Sequence, residues 1–120
     1  MNTISIDGKK IIINGIASEF EDEIYEMVDF DHSVAVLTRP KKGPVKNNSI
    51  FGVIDGKIAW TVQDMFEYDS FYLNFPYNSY TGIYPYDKNP TLLGATSFQG
   101  FLFQIDPMTG RIVSDIGWVK

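Results

Sequence analysis

The chain repeats a hairpin pattern, and this repetition restricts its fold more than any other feature of the sequence. Residues 103–115 read FQIDPMTGRIVSD, which predicts two short strands joined by a turn that ends at Gly110. Residues 51–61 read FGVIDGKIAWT, where Asp55 and Gly56 can adopt the positive φ angles of a two-residue turn. Two such hairpins predict antiparallel β structure.

Each hairpin closes a longer unit that recurs after about 50 residues. Residues 20–64 predict four strands, and residues 80–120 predict four strands in the same order. Within these units, residues 33–38 (SVAVLT) are apolar on both faces, as in a central strand, and residues 91–97 (TLLGATS) repeat that pattern. Residues 4–14 (ISIDGKKIIIN) correspond to half a unit and predict an N-terminal hairpin.

The later hairpin resembles the outer hairpin of the blades in quinoprotein-type β-propellers. Residues 106–111 (DPMTGR) supply the Asp, Thr-Gly and Lys or Arg that this family repeats between the last two strands of a blade. The earlier hairpin is similar, with a shorter turn and Trp60 near the end of its last strand. The resemblance implies blade-like sheets and carries no quinone-binding residue over to this chain.

The chain is too short for a closed propeller, which needs at least about four blades. We therefore expect one all-β, antiparallel domain over residues 1–120, with two four-stranded blade-like repeats and an N-terminal hairpin. The sheets would pack as a sandwich or as one strongly twisted sheet. Assembly of several chains into a ring is the alternative. The expected core residues are Ile58, Trp60, Phe101, Phe103, Ile105 and Ile112.

Residues 18–28 (SEFEDEIYEMV) fit either a short helix or a strand. Phe20, Ile24 and either Met27 or Val28 recur at helical spacing, and Ser18 could cap such a helix. The apolar residues also alternate imperfectly with acidic ones, which favours a strand or an extended loop. Both structures remain open at this point.

Composition excludes several classes of protein. The chain has no cysteine, which excludes disulfides, thiolate zinc sites and thiol catalysis. The net charge of −5 disfavours binding to nucleic-acid phosphates. No apolar run is long enough for a signal peptide or a membrane span, so we expect a cytoplasmic protein that does not bind membranes.

No catalytic or metal-binding signature stands out. His32 is the only histidine and lies between Asp31 and Ser33. Adjacent residues in a strand point to opposite faces, so these three residues cannot form a catalytic triad among themselves. One histidine without cysteine argues against a transition-metal site, and residues 19–31 lack the spacing and internal glycine of a calcium loop. We expect no enzymatic activity, no cofactor and no metal.

Charge is distributed unevenly along the chain. Residues 19–31 contain seven carboxylates and no Lys or Arg, whereas residues 32–54 contain four basic residues and no carboxylate. Such a concentration can steer a basic partner, although a solvated face is the simpler alternative. The carboxylates expected to steer a partner are Glu19, Glu21, Asp22, Glu23 and Glu26.

Residues 66–86 contain nine of the eighteen aromatic residues of the chain, together with Pro, Asn and Ser. This segment predicts either a lid over the apolar sheets or an exposed interface, and the two roles are compatible. Tyrosine gives a large contact area at low entropic cost, and aromatic rings also stack on sugars. The expected anchors for a partner are Tyr72, Tyr77 and Tyr80.

Size, acidity and these loops together resemble a bacterial immunity protein, which would bind and neutralise a basic toxin domain without catalysis. One alternative is a carbohydrate-binding or phage or cell-surface accessory module. Another is a partial-propeller subunit that assembles with itself. The identity of the partner and the oligomeric state are left open by the sequence.

Overall fold

The computed structural model describes residues 2–75 and 79–118, which form three open antiparallel sheets. Sheet A contains β1 (Ile4–Asp7), β2 (Lys10–Ile13) and β3 (Ile16–Glu19). Sheet B contains β4 (Glu23–Asp29), β5 (Val34–Arg39), β6 (Ile50–Ile54) and β7 (Lys57–Thr61). Sheet C contains β8 (Tyr80–Pro85), β9 (Leu93–Ser97), β10 (Phe101–Ile105) and β11 (Ile112–Trp118). In each sheet, strands adjacent in the chain are paired, which confirms the all-β fold and both four-stranded units.

The N-terminal unit is larger than the predicted hairpin. β1 and β2 form that hairpin, and β3 adds a third strand that pairs with β2. Asn14 and Gly15, with φ of +51° and +83°, form the tight turn between β2 and β3. Asn-Gly is a strong hairpin signal, because both positions of such a turn need positive φ.

Sheet B is the middle layer, and β5 shows why. Val34 and Val36 belong to an apolar cluster shared with sheet A, whereas Ala35 and Leu37 belong to a cluster shared with sheet C. All four side chains are at most 1% exposed. A strand that is covered on both faces needs apolar residues on both, as the sequence of this strand predicts.

Residues 18–28 lie in β3, β4 and the bend between them, so the strand alternative is correct and the helix is not. Ser18 caps no helix; its Oγ donates a 3.1 Å hydrogen bond to the carbonyl oxygen of Gly56. Phe20 is buried against Phe51, with 5.3 Å between the ring centroids. These contacts attach sheet A to sheet B.

The turn chemistry predicted for both hairpins is confirmed. Asp106 Oδ1 accepts a 2.8 Å hydrogen bond from the backbone N–H of Met108, and Gly110 has a φ of +76°. Asp55 and Gly56 have φ of +51° and +75°. Backbone geometry therefore accounts for the Asp and Gly residues of both turns.

One expected core position is wrong. Trp60, Phe101, Phe103, Ile105 and Ile112 are buried as predicted, but Ile58 is 44% exposed. Gly52 pairs with Trp60 and Val53 pairs with Ile58, which leaves Ala59 as an extra residue in β7. Such a bulge interrupts the alternation of side chains, so Ile58 and Trp60 do not share a face.

A short α-helix, α1 (Met65–Tyr68), and a 3₁₀ helix (Ser70–Asn74) connect sheet B to sheet C. Tyr72 packs against Phe101 and Phe103, with centroid distances of 5.0 Å and 5.2 Å. The segment thus covers one end of the core of sheet C, as the lid interpretation predicts. Within the described residues, no helix is long and apolar enough to cross a membrane.

Candidate recognition surface

The acidic run and the basic loop after β5 pair with each other. The antiparallel pairing of β4 and β5 brings the two segments together. Lys46 Nζ lies 2.9 Å from Glu21 Oε1 and 3.1 Å from Asp22 Oδ2, and Lys41 Nζ lies 3.9 Å from Glu23 Oε1. The hydrogen bond with Glu21 is the main cause that raises the pKa of the Lys46 amine. Much of the negative charge expected to attract a partner is therefore balanced within the chain.

The remaining two carboxylates predicted to steer a partner, Glu26 and Glu19, have different surroundings. Glu26 Oε1 accepts a 3.0 Å hydrogen bond from the backbone N–H of Ile83, at the free edge of β8. That contact joins sheets B and C, so it gives Glu26 a structural role. Glu19 is exposed at the end of β3, opposite Lys10 in the register with β2.

The predicted tyrosine anchors are corrected by their burial. Tyr72 and Tyr80 are 1% and 0% exposed, so neither can contact a partner on the surface of the folded chain. The Tyr72 hydroxyl donates a hydrogen bond to Asp115 Oδ2. Burial and this hydrogen bond raise the pKa of the Tyr72 phenol, and burial raises the pKa of Tyr80. Tyr77 lies outside the described residues.

The aromatic segment exposes other apolar residues. Leu73 is 66% exposed and Phe71 is 49% exposed in the 3₁₀ helix, Phe66 is 41% exposed in α1, and Phe98 is 71% exposed in the β9–β10 turn. We define the recognition surface as these four residues together with the exposed acidic residues of the same segment. Its members are Phe66, Glu67, Asp69, Phe71, Leu73 and Phe98.

Aromatic packing holds the recognition surface in place. The Phe71 ring centroid lies 5.3 Å from that of Tyr72, 5.6 Å from that of Phe75 and 6.3 Å from that of Phe101. Asp69 Oδ1 also accepts a 3.0 Å hydrogen bond from the backbone N–H of Phe71. The exposed edge of Phe71 is thus carried by a buried aromatic cluster and does not need to be ordered when a partner binds.

The charge of this surface is not balanced by neighbouring basic residues in the sequence. Residues 58–87 contain no Lys or Arg, and their carboxylates are Asp64, Glu67, Asp69 and Asp87. Glu67 and Asp69 are both exposed. Burial, followed by the charges of Asp115 and Asp69, raises the pKa of Tyr68 in the same segment. The surface therefore combines exposed apolar groups with negative charge.

Asp31, His32 and Ser33 lie in the β4–β5 turn and not in a strand, so the predicted strand alternation does not separate their side chains. Asp31 has a φ of +67°. Ser33 Oγ has no hydrogen-bond partner among the residues that the structure describes, so no Ser–His pair is assembled. Across residues 2–75 and 79–118, no group of three or more His, Cys, Asp or Glu residues could hold a metal ion.

Sequence reasoning missed Phe71, Leu73 and Phe98 because it treated the tyrosines as the exposed members of the segment. One signal was available for Phe98, which lies in a short turn between two strands, where apolar side chains are seldom covered. For Phe71 and Leu73 the structure is needed: the Asp69–Phe71 hydrogen bond begins a tight helical turn, in which Tyr72 is buried and its two neighbours are exposed.

Comparison with known proteins adds the family but no activity. A family described as a domain of unknown function (DUF7957) matches residues 1–116. No curated protein matches the chain. No solved structure matches it either, so the propeller and immunity-protein resemblances stay predictions.

Proposed function

The chain belongs to the DUF7957 family, and from its surface we propose that it is a non-catalytic binding protein for a basic protein partner. In its most specific form, the proposal is a bacterial immunity protein that neutralises a basic toxin domain. The recognition surface carries the proposal, because four exposed apolar side chains and two exposed carboxylates lie on the connecting segment and on the β9–β10 turn. This turn is held near the end of the segment by a 3.0 Å hydrogen bond from the backbone N–H of Phe98 to the carbonyl oxygen of Ser79.

Exposed aromatic and aliphatic residues on a rigid support are typical of the energetic centre of an interface. Single exposed apolar residues are ordinary on protein surfaces, but several large ones close in the chain are informative. Phe71, Leu73 and Phe66 lie within eight residues of each other. A partner that covers them would remove this apolar surface from water, which is the main driving force of association.

Charge makes a basic partner the best fit. Glu67 and Asp69 lie between Phe66 and Phe71 in the chain, and residues 58–87 contain no Lys or Arg, although Arg111 lines the same depression as Glu67. By contrast, Glu21, Asp22 and Glu23 of the acidic run lie within ion-pair distance of lysines. We therefore place the steering charges at the recognition surface and no longer at the acidic run.

Within the described residues, two kinds of group that catalysis often uses are not arranged for it. Ser33 is the residue next to the only histidine, and its Oγ has no partner within the described residues. Tyr72 and Tyr80, whose pKa values are raised, are buried in the core and cannot reach a substrate at the surface.

Capture of a partner from native lysate by surface variants tests the proposal. We expect the wild-type chain to capture a basic protein at low salt. The Leu73→Ser/Phe98→Ser and Glu67→Lys variants should lose it, because these residues are among the most exposed of the recognition surface. Val113→Ser/Ile116→Ser and Glu19→Lys are the controls, since they make equivalent changes at exposed positions elsewhere.

The outcomes separate the alternatives. Loss of the partner with Glu19→Lys but not with Glu67→Lys would mean that the interface lies at the acidic run. Capture of the chain itself, or of glycans only, would contradict the proposal. Neutralisation of the captured protein's toxicity in co-expression would support the more specific immunity function.

A further inference from the structure

The turn between β2 and β3 contains the only Asn-Gly pair of the chain, Asn14 and Gly15. The side-chain amide of an asparagine is open to attack by the backbone nitrogen of the next residue. Glycine favours this attack, because it has no side chain that would shield its nitrogen. Both residues are exposed, so water reaches them. The pair can therefore undergo deamidation, a reaction that needs neither an enzyme nor a cofactor.

Deamidation of this pair changes both charge and backbone. The backbone nitrogen of Gly15 bonds to the side-chain carbonyl carbon of Asn14, the bond from that carbon to Nδ2 breaks, and ammonia leaves with the proton of the Gly15 N–H. Water then opens the cyclic imide at either of its carbonyl groups, which leaves aspartate or isoaspartate. Both products add a negative charge, and isoaspartate also lengthens the backbone of the turn.

Hydrogen bonds hold the Asn14 side chain toward residues 2 and 3 in the folded chain. Its Nδ2 donates a 2.9 Å hydrogen bond to Asn2 Oδ1, and its Oδ1 accepts a 2.9 Å hydrogen bond from the backbone N–H of Thr3. The backbone N–H of Asn14 donates a 2.8 Å hydrogen bond to the carbonyl oxygen of Thr3. Ring closure requires the side chain to turn toward the nitrogen of Gly15, so both side-chain bonds oppose it. The closed turn is therefore expected to react slowly.

The same amide helps to connect the N-terminal unit to sheet B. Asn2, which accepts the bond from Asn14, donates from its own Nδ2 to Asp29 Oδ1 at 2.7 Å and to the carbonyl oxygen of Asp31 at 2.9 Å. A carboxylate in place of the Asn14 amide has no donor for Asn2 Oδ1. If the Asn2 amide turned round to donate to that carboxylate, it would leave Asp29 and Asp31. Deamidation therefore removes at least one bond from this connection.

We propose that Asn14 is a site of spontaneous deamidation that the closed β2–β3 turn protects, and that the modified chain holds its N-terminal unit less firmly against sheet B. The reaction starts from an opened turn, since ring closure needs the side chain free of Asn2 and Thr3. The product cannot restore the donor bond to Asn2, so each modification changes the connection permanently. The inference does not depend on the proposed function, because the recognition surface lies on other segments of the chain.

Three variants separate protection of the site from general stability. Asn2→Ala removes the acceptor of Asn14 Nδ2, so the folded chain should deamidate about fivefold faster, as when one hydrogen bond no longer opposes the reaction. Asn89→Ala is the matched control, because the side chain of this exposed asparagine bonds only within the β8–β9 turn. Glu26→Ala is the second control; it weakens the contact between sheets B and C and leaves the bonds of Asn14 intact.

Peptide mapping by mass spectrometry follows deamidation of each asparagine at mildly alkaline pH, in buffer and in urea. In urea we expect Asn14 to react before every other asparagine. In buffer its rate should be lower by about tenfold or more, since both side-chain bonds oppose the reaction. Faster deamidation in Asn2→Ala alone supports the protection. Equal rates in buffer and urea, no acceleration in Asn2→Ala, or equal acceleration in Glu26→Ala would overturn it.

Amide hydrogen exchange tests the consequence of the modification. Asn14→Asp has the side chain of the aspartate product, and the wild-type chain purified after deamidation is a second sample that is already folded when it reacts. In both, we expect the amides of sheet A to exchange about fivefold faster than in the unmodified chain and those of sheet C to be unchanged. Unchanged exchange in sheet A, or equal acceleration in sheets A and C, would contradict a loosened N-terminal unit.

Discussion

Trp60 Nε1 donates a 3.0 Å hydrogen bond to the carbonyl oxygen of Pro107, which joins the last strand of sheet B to the β10–β11 turn of sheet C. Two glycines make room for the indole ring. A Cβ atom at Gly52 would lie 2.0 Å from the ring, and one at Gly110 would lie 2.4 Å from it. The two hairpins that repeat in the sequence are therefore interlocked through one side chain.

The first prediction concerns the stability supplied by this contact. Trp60→Ala should lower the free energy of unfolding by about 3–5 kcal/mol, because it removes a buried ring and leaves a cavity. Urea denaturation followed by circular dichroism measures the change. Ile58→Ala, two residues away but 44% exposed, is the control and should have a much smaller effect. Equal losses for both variants would show that the bulge in β7 is misplaced.

The second prediction concerns the space beside the indole. Gly110 and Gly8 both have positive φ, so alanine at either position should cost about 1–2 kcal/mol in backbone strain. Only at Gly110 would the new methyl group also collide with Trp60, whereas at Gly8 it meets open space. Gly110→Ala should therefore cost about 1–3 kcal/mol more than Gly8→Ala in the same denaturation experiment.

The third prediction concerns alkaline pH. Burial raises the pKa of Tyr72 and of Tyr80 above the ordinary value near 10, so each stays neutral in the folded chain after it has ionised in the unfolded chain. Their stabilising contribution is complete below pH 10 and is lost as the pH rises above it. Stability should fall there by about 1.4 kcal/mol per pH unit for each such tyrosine.

A phenylalanine variant isolates one of these tyrosines. Tyr72→Phe removes one titrating group, so its stability should fall less steeply above pH 10 than that of the wild type. Urea denaturation between pH 9 and pH 11 gives the slope. A slope that is unchanged in Tyr72→Phe would show that its phenol ionises alike in the folded and unfolded chains.

The fourth prediction separates two members of the acidic run. Glu26→Ala should lower the free energy of unfolding by about 1–3 kcal/mol, because it leaves the backbone N–H of Ile83 without its carboxylate acceptor. Glu21→Ala should change it much less, since exposed ion pairs contribute little. Thermal melts of both variants measure the two changes in stability. A larger loss of stability for Glu21→Ala would mean that its ion pair with Lys46 stabilises the fold more than the contact between sheets.

The sequence predicts the parts of the fold that depend on local pattern. The apolar run in β5 predicts a strand covered on both faces, and Asp55-Gly56 and Asp106 predict their turns by the φ angles and hydrogen bonds that those residues favour. The extra residue Ala59 in β7 was not predictable, because a bulge depends on the pairing of two strands.

The candidate site was less predictable for a similar reason. Composition identifies an aromatic segment but not which rings turn inward. Tyr72 and Tyr80 are buried because Phe101 and Phe103, far away in the sequence, provide an apolar surface for them. The pairing of Lys46 with Glu21 likewise depends on the hairpin that brings β4 beside β5.

The association rate with the captured partner, measured at low and at physiological salt, tests the recognition surface most directly. We expect Glu67→Lys to slow association at low salt by about threefold or more, with an effect that fades at higher salt, and Glu19→Lys to have little effect. Equal slowing of association by Glu67→Lys and Glu19→Lys would contradict the proposed role of the recognition surface. An association rate that Glu67→Lys leaves unchanged at low salt would contradict it as well.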